Sequence, residues 1–347
     1  MQSSNLLSLA TAVPPQVISQ AQAQDLARRA FGGRPALFER LAGVFGNAGI
    51  DTRHVVAPPE WYEEQHGWAN RNALYLRSAE HLFVEAASNA IARAGLRSDQ
   101  IDGVVTVSTT GIATPSLEAR AAGRMGFRPD IKRVPVFGLG CAGGVSGLGT
   151  AARLASSEPG SRWLFVTVET CSISIRLDSH DPAAVVATAL FGDGAAAAVV
   201  GEGAPIARIT GSAEQLWPET LRIMGWDVED PGLAVLFDRA IPPFIEEQLE
   251  TAVAAMLVSL GVSRQDIARL CCHPGGVKVL QAIETALQLP DGTLDVERDV
   301  LRQFGNMSAP TVLFVLDRLL QRGLPERVLM TAFGPGFTCA GLLLEHA

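Results

Sequence analysis

Residues 86–107, AASNAIARAGLRSDQIDGVVTV, and residues 252–273, AVAAMLVSLGVSRQDIARLCCH, follow one pattern. Each reads as an apolar-periodic helix stopped by a glycine, then a short polar turn, an isoleucine and a strand. Gly95 matches Gly261 and Ile101 matches Ile267, at an offset of 166 residues in a chain of 347. A repeat of nearly half the length constrains the fold more than any single motif, because a repeated unit buries its apolar face against its neighbour. The chain is therefore expected to be α/β and internally duplicated, in halves of residues 1–205 and 206–347.

The duplication extends further. In the first copy a strand near 131–137 (IKRVPVF) runs through GLGCAGG into a small-residue helix and the strand RWLFVTVE, ending at Glu169. In the second, GNMSAP leads into the helix TVLFVLDRLLQRG and the strand RVLMTAFGPG. The same offset carries Cys141 to position 307, inside GNMS. Helices apolar or small on every face are buried, so both turns are expected to meet at a pseudo-twofold axis in the protein centre.

Composition excludes several classes. The chain holds 36 acidic against 28 basic residues, a net charge of -8, which disfavours nucleic acid as a partner. With 48% hydrophobic and 18% charged residues it has the makings of a large core rather than of a disordered chain. Five cysteines without a CxxC pair indicate neither a disulfide framework nor a zinc site, and fit a reducing cytoplasm. The opening MQSSNLLSLATAVPP lacks the basic region of a signal peptide, and no apolar run is long enough to suggest a membrane span.

Cys141 stands directly before a helix, where unpaired N–H groups and the dipole favour a thiolate, and its flanking glycines would let backbone approach the sulfur. The plain alternative is a small cysteine in a packed turn. The same stretch matches G-x-G-x-x-G at Gly138, Gly140 and Gly143, a dinucleotide fingerprint that would make the chain an oxidoreductase; a cysteine where phosphate should approach counts against it. His273, in CCHPGG, is left at a strand exit because Pro274 cannot continue the strand. A lone histidine is more often structural, as His54, His66, His81, His180 and His346 are read here, but the symmetry points His273 toward Cys141. Asn306 alone would be a turn or capping residue. With Cys141 and His273 it completes a nucleophile and two N–H donors for one oxyanion. Phe191, in ALFGDGAA, either packs in the core or borders a cavity, and GPGF at 334–337 is a loop or lines the site.

Taken in order, GCAGG, the strand ending Glu169-Thr170, ALFGDGAA, HPGG, GNMSAP and FGPG resemble the type III polyketide synthases, the chalcone and stilbene synthase-like branch of the thiolase superfamily, over essentially the whole chain. The resemblance implies a thiolase-like αβαβα layered fold and a homodimer. The substrates would be malonyl-CoA and an acyl-CoA starter, with an acyl carrier protein as another possible donor, and no metal or redox cofactor. Cys141 would carry the acyl group while His273 and Asn306 stabilise the enolate left by decarboxylation. Phe191 matches an aromatic gatekeeper. Thr109, Glu169 and Ser308 match a set associated with cyclisation. Arg53 matches the basic cluster at the CoA entrance, although Asp51 and Thr52 stand where plant members are more positive, and Gly275 and Gly276 are expected beside CoA. Val235 stands where plant enzymes carry a second gatekeeper Phe, and Thr114 where they carry a Met reaching across the dimer. Smaller side chains there suggest room for a fatty acyl starter and an alkylpyrone or alkylresorcinol product, at ~0.8 kcal/mol per buried CH₂. The alternatives are a β-ketoacyl synthase III-like single condensation and a catalytically silent scaffold.

Overall fold

The computed structural model describes residues 3–30, 38–39, 41–175 and 182–347. Nine strands hydrogen-bond into one sheet: β1 (Ser4–Ala12), β2 (Gly103–Val107), β3 (Lys132–Val136), β4 (Arg162–Thr170), β5 (Asp193–Gly201), β6 (Ala207–Leu216), β7 (Arg269–Cys272), β8 (Arg327–Gly334) and β9 (Thr338–His346). Their spatial order is β7-β8-β9-β6-β1-β5-β4-β2-β3.

The duplication is written into that order. In the first half β1 pairs antiparallel with β5, β5 antiparallel with β4, and β4 parallel with β2. In the second, β6 pairs antiparallel with β9, β9 antiparallel with β8, and β8 parallel with β7. The halves join where Ser4–Leu6 meets Ala207–Ile209, and β3 has no second-half counterpart among the described residues.

Four long helices complete the layers: α1 (Trp68–Arg93), α2 (Gly143–Ser157), α3 (Ile241–Leu260) and α4 (Thr311–Arg322). The repeat locates the end of α1 and α3 but not the start of α1, which reaches back to Trp68. Gly95 (φ 68) and Gly261 (φ 72) take the left-handed conformation that ends each helix, which glycine adopts without a Cβ penalty. Helix α1 covers β1, β4 and β5, and α3 covers β6 and β9. Between the halves lie α2 and α4; α2 touches strands of both. One central cluster therefore unites Val145 and Leu148 of α2 with Val312 and Leu316 of α4, Val107 of β2 and Met330 of β8. This is the expected αβαβα layering. Among the described residues no helix is long and apolar enough to cross a membrane.

Close packing at the centre dictates small residues. A Cβ on Gly144 would lie 2.2 Å from the Ala309 carbonyl oxygen, so this position of α2 admits only glycine against the start of α4. Gly144 of GLGCAGG thus serves the approach of the two helices rather than approach to the sulfur. Gly143, the third glycine of the G-x-G-x-x-G pattern, is packed as well, since a Cβ there would lie 2.5 Å from Val107 Cγ1.

Candidate active site

Cys141 lies in the single turn Gly140–Ala142 that precedes α2, 7% exposed. The segment Gly334-Pro335-Gly336 packs against it. Gly140 (φ +49) abuts Pro335, and a Cβ on Gly334 would meet the Leu139 carbonyl at 2.5 Å, so the GPG segment lines this turn.

A run of hydrogen bonds joins the residues singled out from the sequence. Glu169, at the end of β4, accepts from the Thr109 amide at 2.9 and 3.0 Å and from the Thr110 amide and hydroxyl at 3.0 and 2.7 Å. Thr109 Oγ1 accepts from the Gly140 amide at 3.3 Å, which ties this carboxylate to the cysteine turn. On the other side Cys141 Sγ lies 3.4 Å from Ser308 Oγ. The Ser308 amide donates to Asn306 Oδ1 at 2.8 Å, and Asn306 Nδ2 donates to the Gly275 carbonyl at 3.1 Å. The Gly275 amide donates to the His273 carbonyl at 3.0 Å, and His273 is anchored by its amide to the Thr331 carbonyl at 2.9 Å. Asn306 Oδ1 thus does the turn work that a structural asparagine would do, while the amide nitrogen retains a second N–H. Both ring nitrogens of buried His273 lack a hydrogen-bond partner among the described residues.

Burial governs the electrostatics. Desolvation pushes His273 down to about 3, so the imidazole is neutral across the working pH range. Desolvation pushes Glu169 up to about 7 against the hydrogen bonds from Thr109 and Thr110. It also pushes the Cys141 thiol up to about 12, opposed by the Ser308 hydroxyl and reinforced by Glu169. The helix start was expected to lower that thiol. A helix terminus contributes ~0.3–1 kcal/mol, whereas desolvating a charge shifts a pKa by up to ~3–5 units, so in the closed site burial wins.

The substrate-side residues divide. Phe191 is buried and packs with Cys171 and Ala187 against Trp226, Val235 and Phe237. Val235 does sit on this wall, but strand pairing of Met224–Glu229 with Gly232–Phe237 places Trp226 opposite it. The rings of Trp226 and Phe237 lie 5.9 and 5.6 Å from that of Phe191. Space left by the missing phenylalanine is therefore partly taken by aromatics that sequence reading overlooked; the alternation in MGWDVE and the apolar run GLAVLF were their signal. Thr114 is exposed on the loop after β2 and stands outside this cluster.

Arg53 requires a correction. It is fully buried rather than at an entrance, and its Nη1 donates to the carbonyls of Thr188 at 2.7 Å and Phe191 at 3.4 Å. Gly275 has its carbonyl engaged by Asn306, and Gly276 is buried at the start of the helix Val277–Ala286. Thr110, the second anchor of Glu169, was missed although it adjoins Thr109. Of the remaining histidines, His54 bonds the Pro14 carbonyl at 2.7 Å, His66 stacks on Trp61 at 4.0 Å, His81 and His346 are exposed, and His180 lies outside the described residues.

Comparison with known proteins gives the family. Residues 2–204 match the chalcone and stilbene synthases, N-terminal domain, and residues 208–347 the C-terminal domain. A 1,3,6,8-tetrahydroxynaphthalene synthase of Streptomyces peucetius subsp. caesius is 38% identical over 96% of this chain and 91% of its own. Type III polyketide synthase A of Arabidopsis thaliana is 30% identical over 98% of this chain and 92% of its own. The crystal structure of 1,3,6,8-tetrahydroxynaphthalene synthase from Streptomyces coelicolor A3(2) superposes with a TM-score of 0.93 at 30% identity, covering 99% of both chains. The chain belongs to the chalcone and stilbene synthase family and is a type III polyketide synthase, a condensing enzyme of the acyltransferase class.

Proposed function

We propose that Cys141 takes an acyl group from coenzyme A and that His273 and Asn306 drive its repeated extension by malonyl-CoA. The observation that carries this reading is the run of contacts from Cys141 through Ser308 and Asn306 to the His273 turn. Sγ attacks the starter thioester carbonyl, the carbon–sulfur bond to CoA breaks, and the thiol proton leaves on the CoA sulfur, so the imidazole stays neutral throughout. With CoA held beside the Gly275-Gly276 turn, the malonyl thioester oxygen accepts from the imidazole N–H and from Asn306 Nδ2. The carbon–carbon bond to the carboxylate breaks, CO₂ departs, and the electron pair becomes an enolate held by the two donors. The enolate carbon attacks the acyl-Cys141 carbonyl and expels the Cys141 thiolate, which leaves the chain two carbons longer on CoA. No metal or redox group enters any step.

Glu169, linked to Thr109 and pushed up to about 7 by burial, would move protons during cyclisation together with Ser308. The starter favoured here is small, malonyl-CoA itself included. The Trp226 and Phe237 rings against Phe191 and the product name of the Streptomyces peucetius relative both support this. A long acyl starter leading to an alkylpyrone or alkylresorcinol is the second reading, favoured by three small side chains on the same wall, Cys171, Ala187 and Val235. The working form proposed is a cytoplasmic homodimer. Its contact face would include the sheet edge at β3, where Ile112 and Phe137 are 49% and 60% exposed. Malonyl-CoA supplied alone and with acyl-CoA starters from acetyl to stearoyl, with products identified by mass spectrometry, separates the readings. Products peaking with malonyl-CoA alone or short starters support the first, and products peaking at long starters the second.

A further inference from the structure

Arg53 is a cation in an unusual place. It is 0% exposed, and among the described residues it pairs with no carboxylate and its Nε and Nη2 have no hydrogen-bond partner. Burying a charge without a counter-ion is unfavourable, and an apolar side chain of similar size would pack there at less cost. Its one engaged nitrogen, Nη1, donates to two carbonyls, those of Thr188 and Phe191. Both lie at the C-terminal end of the helix Pro182–Leu190, where carbonyls lack helical partners and the dipole favours a positive charge.

That helix end is also where the two halves of the site meet. The backbone N–H of Asn306 donates to the Leu190 carbonyl at 2.8 Å, and that of Gly192 to the backbone carbonyl of Asn306 at 3.0 Å. The stem of Arg53 lies under the same junction: a Cβ on Gly192 would approach Arg53 Cβ to 3.3 Å, and a Cβ on Gly305 to 3.6 Å. One side chain therefore touches the turn that carries Phe191 and the turn that carries Asn306.

We infer that Arg53 is a positioning residue for the condensation: by clamping the Thr188 and Phe191 carbonyls and packing beneath Gly192 and Gly305, it sets the Asn306 amide for malonyl decarboxylation and fixes Phe191 in the same act. The inference rests on the condensing reaction proposed above. It separates Arg53 from any direct contact with CoA, since its charge is spent on backbone inside the protein. Starter loading on Cys141 does not use the Asn306 amide, so Arg53 acts on decarboxylation and spares loading.

The test compares the parent chain with Arg53→Lys and Arg53→Met. Three quantities are read: the folded state by circular dichroism, acylation of Cys141 by an acyl-CoA starter through intact mass, and kcat and KM for CO₂ release from malonyl-CoA. Lysine keeps the charge and the apolar stem but not the planar fork. Displacing a donor by ~1 Å is enough for large rate losses, so both variants are expected to lose about tenfold or more in kcat, methionine more than lysine. Acylation and the KM for malonyl-CoA are expected within about threefold of the parent, as for groups that bind rather than stabilise the transition state. An unchanged kcat in both folded variants overturns the inference. So does a raised KM at constant kcat, the mark of a CoA contact, and so does loss of the folded state in both, which would confine Arg53 to holding the fold. A parent that releases no CO₂ refutes the underlying reaction and the inference together, whereas an active parent with unaffected variants refutes the inference alone.

Discussion

Phe191 and Asn306 form a parallel bridge that ties a residue of the N-terminal half to one of the C-terminal half. Through it the aromatic wall of the pocket and the amide that faces the His273 turn share one piece of backbone. The pocket wall and the residue proposed to hold the enolate thus rest on one backbone junction between the halves.

Acylation should be confined to Cys141. The other four cysteines, Cys171, Cys271, Cys272 and Cys339, are at most 1% exposed, and burial raises each of their thiols. Intact-mass analysis after exposure to an acyl-CoA is expected to show one acyl group on the parent and none on Cys141→Ala. The melting temperature of the variant should stay within about 5 °C, since the change removes one small atom.

Acid should destabilise the protein through His273. Its folded pKa of about 3 lies below the ~6.5 of the unfolded chain, so the unfolded state binds the extra proton between those values. Stability from this group is complete above pH ~6.5 and falls as pH drops toward 3, by at most ~1.4 kcal/mol per unit. His273→Gln should therefore gain on the parent in urea midpoint as the pH is lowered through that window. A parallel pH dependence in the two proteins would contradict the burial of the ring.

Ser308 holds a left-handed backbone, φ 58, that places its amide on Asn306 and its hydroxyl on Cys141. Glycine adopts this conformation freely, and a β-branched residue adopts it at a cost. Ser308→Gly is expected within about 1 kcal/mol of the parent in denaturant unfolding, and Ser308→Val about 2 kcal/mol or more below it.

Gly144→Ala tests the approach of the two central helices. A methyl group 2.2 Å from the Ala309 carbonyl oxygen and 2.8 Å from Val312 Cγ1 forces α2 and α4 apart. A loss of about 3 kcal/mol is expected from denaturant titration, at the upper end of overpacking costs.

What was legible in the sequence was what local chemistry or the repeat encodes. Gly95 and Gly261 end their helices because a left-handed cap is a local requirement, and the offset between them placed Cys141 and GNMS at equivalent junctions. The Phe191 wall was only half legible: Val235 was found, but Trp226 reaches it through hairpin pairing, and no local rule says which face of a two-stranded hairpin docks. Arg53 was misplaced for a related reason. It was assigned to the CoA entrance by its match to the family's basic cluster, whereas its partners, the Thr188 and Phe191 carbonyls, are more than a hundred residues away and only the fold shows that it is buried. The thiol shift was misjudged because a helix start is visible in sequence and desolvation is not.

CO₂ release from malonyl-CoA by the parent, His273→Ala and Asn306→Ala, with circular dichroism to establish that each is folded, tests the central claim most directly. If the imidazole and the Asn306 amide are the two donors that hold the enolate, each folded variant loses about 10²-fold or more in rate. Undiminished CO₂ release by either folded variant would contradict the assignment of that residue, and by both would remove the proposed oxyanion site.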